Sequence, residues 1–534
     1  MYKKIAFAVA VISVIIPMLS VPLRAQVAQN IGIIYIRADG SIDPPTTNMT
    51  SADNVTYYFT DNNFGEIVVE KSNIVIDGAG YTLQGNGSGC GISLASISNV
   101  TIRNTIITYF DPAILLSSSS GNTLSGNNLT GNTLAWDPSK WGYGKAAIDL
   151  ESSNNNTLSD NNITENGGIM TFVDGITLTS SSHNTLSDNT ITGNNGAGIV
   201  IASSCTHNIV SDNNVSENDK YGIVLEFDSN DTVSENSISG NGAGIDLEVA
   251  SNDTLSDNNI TKGRITIGGT TGLGIGISIG LCSNDTVLRN NITGYQTGVY
   301  IFLNSGDNMV LGNNIIRNGK GIYLDFSQGV RSSNVIYHNN FLDNSEQATL
   351  SGSEPNAWDD GYTQGGNYWS DYNGTDSYSG PYQNETGYDW IGDSPYVIDK
   401  NNTDSYPLIN PFNSETNDIT VAYRNLLTDY NSIATDFTTL NSTFQQSLLN
   451  YQNLQSNYTS LQNDLNVLNS KYNSLNTSYS NLDAAFNDYK TSTLTEQSYV
   501  TTFLYALATT TIVFMAATAY LLLKKPRIKA ELQR

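Results

Sequence analysis

Apolar residues along most of this chain alternate with polar ones in runs of three or four, and the runs recur. NTLSDNNIT at 156–164 returns as NTLSDNTIT at 184–192 and DTLSDNNIT at 253–261. Looser copies start at Asn122, Asn208, Asp231, Asp285, Asn308 and Asn334, nine copies in all, at spacings of 34, 28, 24, 23, 22, 32, 23 and 26 residues. A base period of 22–24 residues with a few insertions follows, and NIVIDGAGYTL and NVTIRNTIIT upstream are weaker copies. Each period carries a second fixed piece of the form G-I-x-L: AIDL (147–150), GITL (175–178), GIVI (198–201), GIVL (222–225), GIDL (244–247), GISI (276–279) and GIYL (321–324). The alternation has the period of a strand, not of a helix.

Strands this short cannot fold alone; stacked, they bury one aliphatic column per strand. The sixth residue of the nonapeptide selects the architecture. It is Asn in every copy: Asn127, Asn161, Asn189, Asn213, Asn236, Asn258, Asn290, Asn313 and Asn339. Asn tolerates left-handed backbone, and stacked Asn side chains can bond as a ladder. A turn residue repeated once per coil is what a right-handed parallel β-helix requires, so the predicted fold is all-β, a solenoid of 22–24-residue coils.

The pattern changes at Leu426. From there to Tyr489, nineteen positions alternate steps of four and three, and only Ser447 breaks their apolar character. Such a seam predicts an α-helical coiled-coil stalk over 415–498 and a homo-oligomer built through it. The ends predict export and anchoring. MYKKIAFAVAVISVIIPMLSVPLRA reads as a signal peptide (1–25). Residues 501–523 are apolar enough to span a membrane, and KKPRIK behind them places the tail, 524–534, in the cytoplasm. The remainder is then extracellular on a single-pass membrane protein.

Net charge is −26 with only 14% charged residues, so the polar faces are amide and hydroxyl surfaces, and the acidity argues against nucleic acid as a partner. Sequons include Asn128, Asn162, Asn214, Asn259, Asn291, Asn373, Asn441 and Asn457, which an exported chain can glycosylate. Cys205 and Cys282 fall at matching turns three coils apart, roughly 14 Å by strand spacing and too far for a disulfide.

Candidate chemistry concentrates on the outward positions of G-I-x-L: Asp149, Glu151, Glu226, Asp246, Glu248 and Asp325. Glu226 and Glu248 belong to consecutive coils, about 4.8 Å apart. Facing like charges need relief, by solvent or by a hard cation such as Ca²⁺ held by Glu226, Asp246 and Glu248. The longest insertion, LAWDPSKWGYGKAA (134–147), precedes the strand of Asp149 and Glu151 and brings Trp136, Trp141 and Tyr143, with Lys140 and Lys145; a second adds Arg264. Aromatic surfaces beside carboxylates suit a sugar ring, so Trp136, Trp141, Tyr143, Asp149, Glu151, Glu226, Asp246 and Glu248 form the candidate ligand face. Asp149 and Glu151 stand near 7 Å apart by strand geometry, a separation that glycoside hydrolysis allows; no catalytic motif is complete.

IYIRADGSIDPP, NIVIDGAGYTLQG, the repeats and GNYWSDY together resemble the NosD-like right-handed β-helix proteins, over about residues 31–412. The resemblance implies the pectin-lyase fold and a surface protein of archaeal type. Its extents are an N-terminal cap (26–72), β-helix repeats (73–345) and a C-terminal cap (346–412) in which Trp358, Trp369 and Trp390 seal the last coil. The calcium-loop-like stretch of such caps is reduced here to Asp389 and Asp393. The NosD name implies copper. The residues that could supply soft ligands are His183 and His207, at matching positions of adjacent coils, with Cys205 nearby. Two functions stay open: a non-catalytic surface protein binding polysaccharide or an envelope protein, and a surface polysaccharide lyase or hydrolase.

Overall fold

The computed structural model describes residues 32–132, 146–168, 172–263, 266–267, 270–271, 274–327, 333–352, 354–362, 364–413, 418–491 and 497–531. The chain divides into two compact units, Met1–Ser414 and Glu415–Arg534. In the first, the repeat strands join three sheets of 14, 13 and 13 strands, each running in coil order. Within these three sheets pairing is parallel except at the N-terminal edge, where Ile42–Asp43 and Met49–Thr50 pair antiparallel with their neighbours. This is the right-handed parallel β-helix that the period predicts. The stack passes both boundaries assigned to the caps: Ile34–Ile36 already pairs in parallel with Ile67–Val69, and Tyr368–Trp369 extends the third sheet beyond Asn340–Leu342.

Register follows the nonapeptide. Leu158 lies beside Leu186, then Val210, Val233, Leu255 and Val287, one per coil, all fully buried. The Ile and Leu of G-I-x-L face them from the first sheet, as Ile223 beside Ile245 and Leu225 beside Leu247. A one-residue slip would turn every one of these side chains outward.

The sixth-position Asn residues do form the ladder, though their backbone role differs from the expectation. Left-handed φ falls one residue earlier, at Asp160 (57°), Asp188 (58°), Asp212 (59°), Glu235 (59°) and Asp257 (57°). That residue turns the corner, and the Asn after it points inward at 1% exposure or less. From Asn161 onward each Asn oxygen accepts both the backbone N–H and the side-chain amide of the Asn one coil earlier, as Asn236 does from Asn213 (both 3.0 Å). Its own Nδ2 reaches the coil before, as Asn236 reaches the Val210 carbonyl at 2.9 Å. The sequence reading found one ladder; the structure has more. A second runs through the first residue of the nonapeptide, from Asn122 to Asn156, Asn184 and Asn208. A third joins Asn132, Asn166, Asn194, Asn218 and Asn241.

At the C-terminal end Trp369 stacks between Phe341 and Tyr396, with ring centroids 4.4 and 4.2 Å away, and Trp358 packs beside it. Their indole N–H groups donate to Asp404 and Asn402. Trp390 does not join them: it is 68% exposed. Its backbone N–H is held by Asp376 instead. Covering the last coil protects an edge that would otherwise pair with another chain. Asp389 and Asp393 are engaged by Gln383 and by the backbone of Ser377 and Tyr378.

The second unit is helical: Asp418–Thr491, 74 residues, then Gln497–Glu531. Seam residues Phe437, Leu440, Phe444, Tyr451 and Tyr458 are 60–69% exposed in the single chain. Thr502–Leu521 is apolar and long enough to cross a membrane.

The ladder makes a quantitative prediction. Asn236→Ala strips the acceptor from the Asn213 N–H and the donor from Val210, leaving buried polar groups unpaired. It should cost about 3 kcal/mol or more in denaturant unfolding, while exposed Ser237→Ala should stay within about 0.5 kcal/mol.

Candidate functional site

The outward positions of the first sheet form two parallel files. One reads Asp149, Thr177, Val200, Val224, Asp246, Ser278, Tyr300, Tyr323; the other reads Glu151, Thr179, Ala202, Glu226, Glu248, Gly280, Phe302, Asp325. Pairing is residue on residue, so Glu226 lies directly beside Glu248, and Asp246 beside Ser278.

The files are not one solvated acidic strip. Asp149, Thr177, Val200 and Val224 are all buried, the first at 8% exposure. Val200, Val224, Ala197 and Ala202 make a small apolar cluster with Tyr221 packed against it. Asp149 is therefore a covered side chain, whereas Glu151, two residues along, is exposed. The insertion loop with Trp136, Lys140, Trp141, Tyr143 and Lys145, and Arg264 of the second insertion, lie outside the described residues. A buried acid that the sequence reading passed over stands close by. Asp174 accepts the Ala197 N–H at 2.7 Å and is pushed up to about 6, chiefly by burial. Its signal was a carboxylate at a position that is Ala in the AIDL and GIDL coils.

Beyond Val224 the surface opens. Glu226 and Asp246 are half-buried and Glu248 is exposed. Burial raises the Asp246 carboxyl to about 6, with the Glu248 and Glu226 charges adding to it and a hydrogen bond from Ser278 opposing it. Glu226 is raised as well, by burial and then by Glu248. Ser278 and Gly280 come next and are both buried; the Phe302 ring lies over Gly280, where any side chain would strike it. Then follows an aromatic shelf that the sequence reading missed. Tyr300 stacks on Phe302 at 4.7 Å and on Tyr323 at 5.1 Å, its hydroxyl donates to Asp325 at 3.3 Å, and Lys320 Nζ sits 4.0 Å from the Tyr323 ring centre. The signal was present in GVYIF and GIYLD, where outward positions turn aromatic in consecutive coils.

The outer acids named for a cation stand in both files. Asp246 belongs to one file and the two glutamates to the other, two residues along the strand. Among the described residues, the carboxylates whose oxygens converge within 4.8 Å are instead Asp228, Asp231 and Asp253, inside the wall.

Soft-metal ligands do not converge either. The His183 and His207 rings stack at 5.0 Å and 21°, as their spacing predicts, so their faces rather than their nitrogens meet. Cys205 points into the core at 0% exposure and donates to the Ala202 carbonyl at 3.1 Å. His338 is occupied by the Gln364 carbonyl and stacks on Phe412. These residues do not make a copper site, which wants imidazole and sulfur donors aimed at one point. All three cysteines are free.

By fold this is a parallel β-helix with an outward acidic and aromatic face. Matches to the family described as periplasmic copper-binding protein (NosD) cover residues 25–174, 138–272 and 264–374, and the chain belongs to that family. Among curated proteins none matches the sequence. Solved structures similar to it include the periplasmic alginate epimerase AlgG, with 13% identity and TM-score 0.41 over 61% of this chain and 82% of that one. The A-module of the Azotobacter vinelandii mannuronan C-5 epimerase AlgE4 gives 14% and 0.32 over 57% and 81%, and the Dettilon tailspike protein 16% and 0.35 over 54% and 62%.

Asp246 should titrate near 6 by carboxyl NMR. Replacing Glu226 and Glu248 by Gln should lower that midpoint while leaving it above about 4, because burial is the larger cause and remains. As the folded value exceeds the unfolded one, this group's stabilisation should decline as pH rises from about 4 through about 6.

Proposed function

We propose that this chain is an exported, membrane-anchored β-helix that binds polysaccharide along the outer face of its first sheet without cleaving it. The observation that carries this reading is the sequence of side chains on that face: three carboxylates, two small covered residues, then the Tyr300–Phe302–Tyr323 shelf with Lys320 and Asp325. Half-buried rings offer apolar contact to sugar C–H groups, and carboxylates accept sugar hydroxyls, the mixed lining that ligand sites use. A rigid scaffold holds these groups in place.

The second reading, a polysaccharide lyase or hydrolase, draws on Asp246, whose raised pKa beside two glutamates is the kind of perturbation that acid–base catalysis exploits. Incubation with a polysaccharide panel tests both readings. Binding that Tyr300→Ala with Tyr323→Ala weakens at least tenfold, with no new reducing or unsaturated ends, is the expected result. New ends that vanish in Asp246→Asn would establish the enzyme reading; no binding to any polysaccharide would end both.

Anchoring follows from the apolar helix Thr502–Leu521, with the basic tail on the cytoplasmic side. The seam on Asp418–Thr491 leaves an apolar stripe in water, which a second copy of the helix would cover. Full-length chain in mild detergent should sediment as an oligomer, and deleting 426–489 should make it a monomer. A monomeric intact chain at tens of micromolar would exclude the stalk.

A further inference from the structure

The second Asn ladder changes chemistry midway. Asn122, Asn156, Asn184 and Asn208 give way to Asp231, Asp253 and Asp285 in three consecutive coils, before Asn308 and Asn334 resume. All three aspartates are at most 1% exposed. One oxygen of each does the ladder's work: Asp231 accepts from Asn208, Asp253 from the Asp231 N–H at 2.7 Å, Asp285 from the Asp253 N–H at 2.9 Å. The other oxygen stands where an Asn would carry its amide. It has no hydrogen-bond partner among the described residues.

A fourth acid joins them from the next column. The stacked bridges Thr206–Ser229–Ser251–Ser283–Gly306 place Asp228 in register with Cys205, Ala250, Cys282 and Ser305. Polar members of this column accept an N–H from the coil before: Ser181 from Ser153, Cys205 from Ser181, Ser305 from Cys282. Asp228 accepts none. It is 6% exposed, and among the described residues neither of its oxygens accepts an N–H; its carboxyl stands beside that of Asp231. Ligand oxygens of Asp228, Asp231 and Asp253 all lie within 4.8 Å of one another.

We propose that Asp228, Asp231 and Asp253 hold a calcium-class cation inside the wall of the solenoid, with Asp285 as the next carboxylate of the column. Carboxylate oxygens within 4.8 Å of one another can share one hard cation, and a Ca–O distance of about 2.3–2.6 Å with flexible geometry suits a site built from irregular wall positions. All-oxygen ligation excludes a soft metal. Burial, and then the neighbouring carboxylates, hold Asp228 and Asp253 far above the usual carboxylate range, so a compensating positive charge is strongly favoured here. Protons are the competing solution: they would rebuild the ladder through Asp231, Asp253 and Asp285, and a protonated Asp228 would donate to Asp231. A cation would instead take the three convergent carboxylates as ligands at once. Its place between coils means that it enters as the stack forms.

Other coils of this chain supply conservative variants. Asp231→Asn and Asp253→Asn restore the ladder residue, and Asp228→Ser restores the hydroxyl found at Ser181 and Ser305. Full-length protein in detergent, unfolded in denaturant with chelator and refolded with or without millimolar Ca²⁺, should bind one calcium per chain by elemental analysis and melt several degrees higher with it. The Asp228→Ser, Asp231→Asn double variant should bind none and melt at one temperature in both conditions. Should the double variant fail to fold, Asp253→Asn alone should show weakened calcium binding. Wild-type protein that refolds free of calcium, with a melting temperature unmoved by it and rising as pH falls, would overturn the proposal and assign protons to these carboxylates. Neither outcome depends on whether the outer face binds sugar.

Discussion

Everything in this solenoid depends on how the chain turns its corners. A coil of three short strands bends sharply several times, and at the bends backbone N–H groups face the interior with no strand beside them. Buried amides must find partners. Here the partners are the side chains of Asn residues one coil on, and each Asn satisfies a neighbour on both sides, as Asn213 does with Leu186 behind it and Asn236 ahead. The apolar columns supply most of the burial. The ladders supply the register, because a coil that slips along its neighbour breaks several buried hydrogen bonds at once.

A uniform interior leaves the outward positions free to vary, and they change character along the axis. The first sheet is covered and apolar at Val200 and Val224, acidic at Glu226, Asp246 and Glu248, and aromatic at Tyr300 and Phe302, whose ring covers Gly280. The NosD family to which the chain belongs bears a copper name; in this member the imidazoles stack and the thiol faces the core, so the soft donors stay apart.

The period, the strand positions and the inward aliphatic columns were legible because one residue in two must be apolar and the unit repeats nine times. The sixth-position ladder was legible for the same reason. The φ > 0 assignment to that Asn was not: Asp160 or Glu235 takes the bend, since an inward Asn cannot also be the pivot. Glu226 and Glu248 were brought together as their spacing required, but the covering of Asp149 was invisible, because burial on an outer face depends on what packs over it. The interior aspartates at 231, 253 and 285 were hidden in plain view, read as variants of Asn in a degenerate repeat rather than as three carboxylates in a dry column. Trp390 shows the limit of assigning a cap role by residue type: two tryptophans were enough to close the end.

Native-state hydrogen exchange on the corner amides tests the account most directly. Asn161, Asn189 and Asn213 donate their backbone N–H groups to side-chain oxygens at 3.0 Å, with no strand partner. If the ladders hold the coils together, these amides should exchange as slowly as those of the central strands, at Leu186 or Val210, with protection falling only toward the ends of the stack. Corner amides that exchange by local opening, orders of magnitude faster than their own strands, would show that the aliphatic columns carry the fold and that the Asn residues merely occupy the turns.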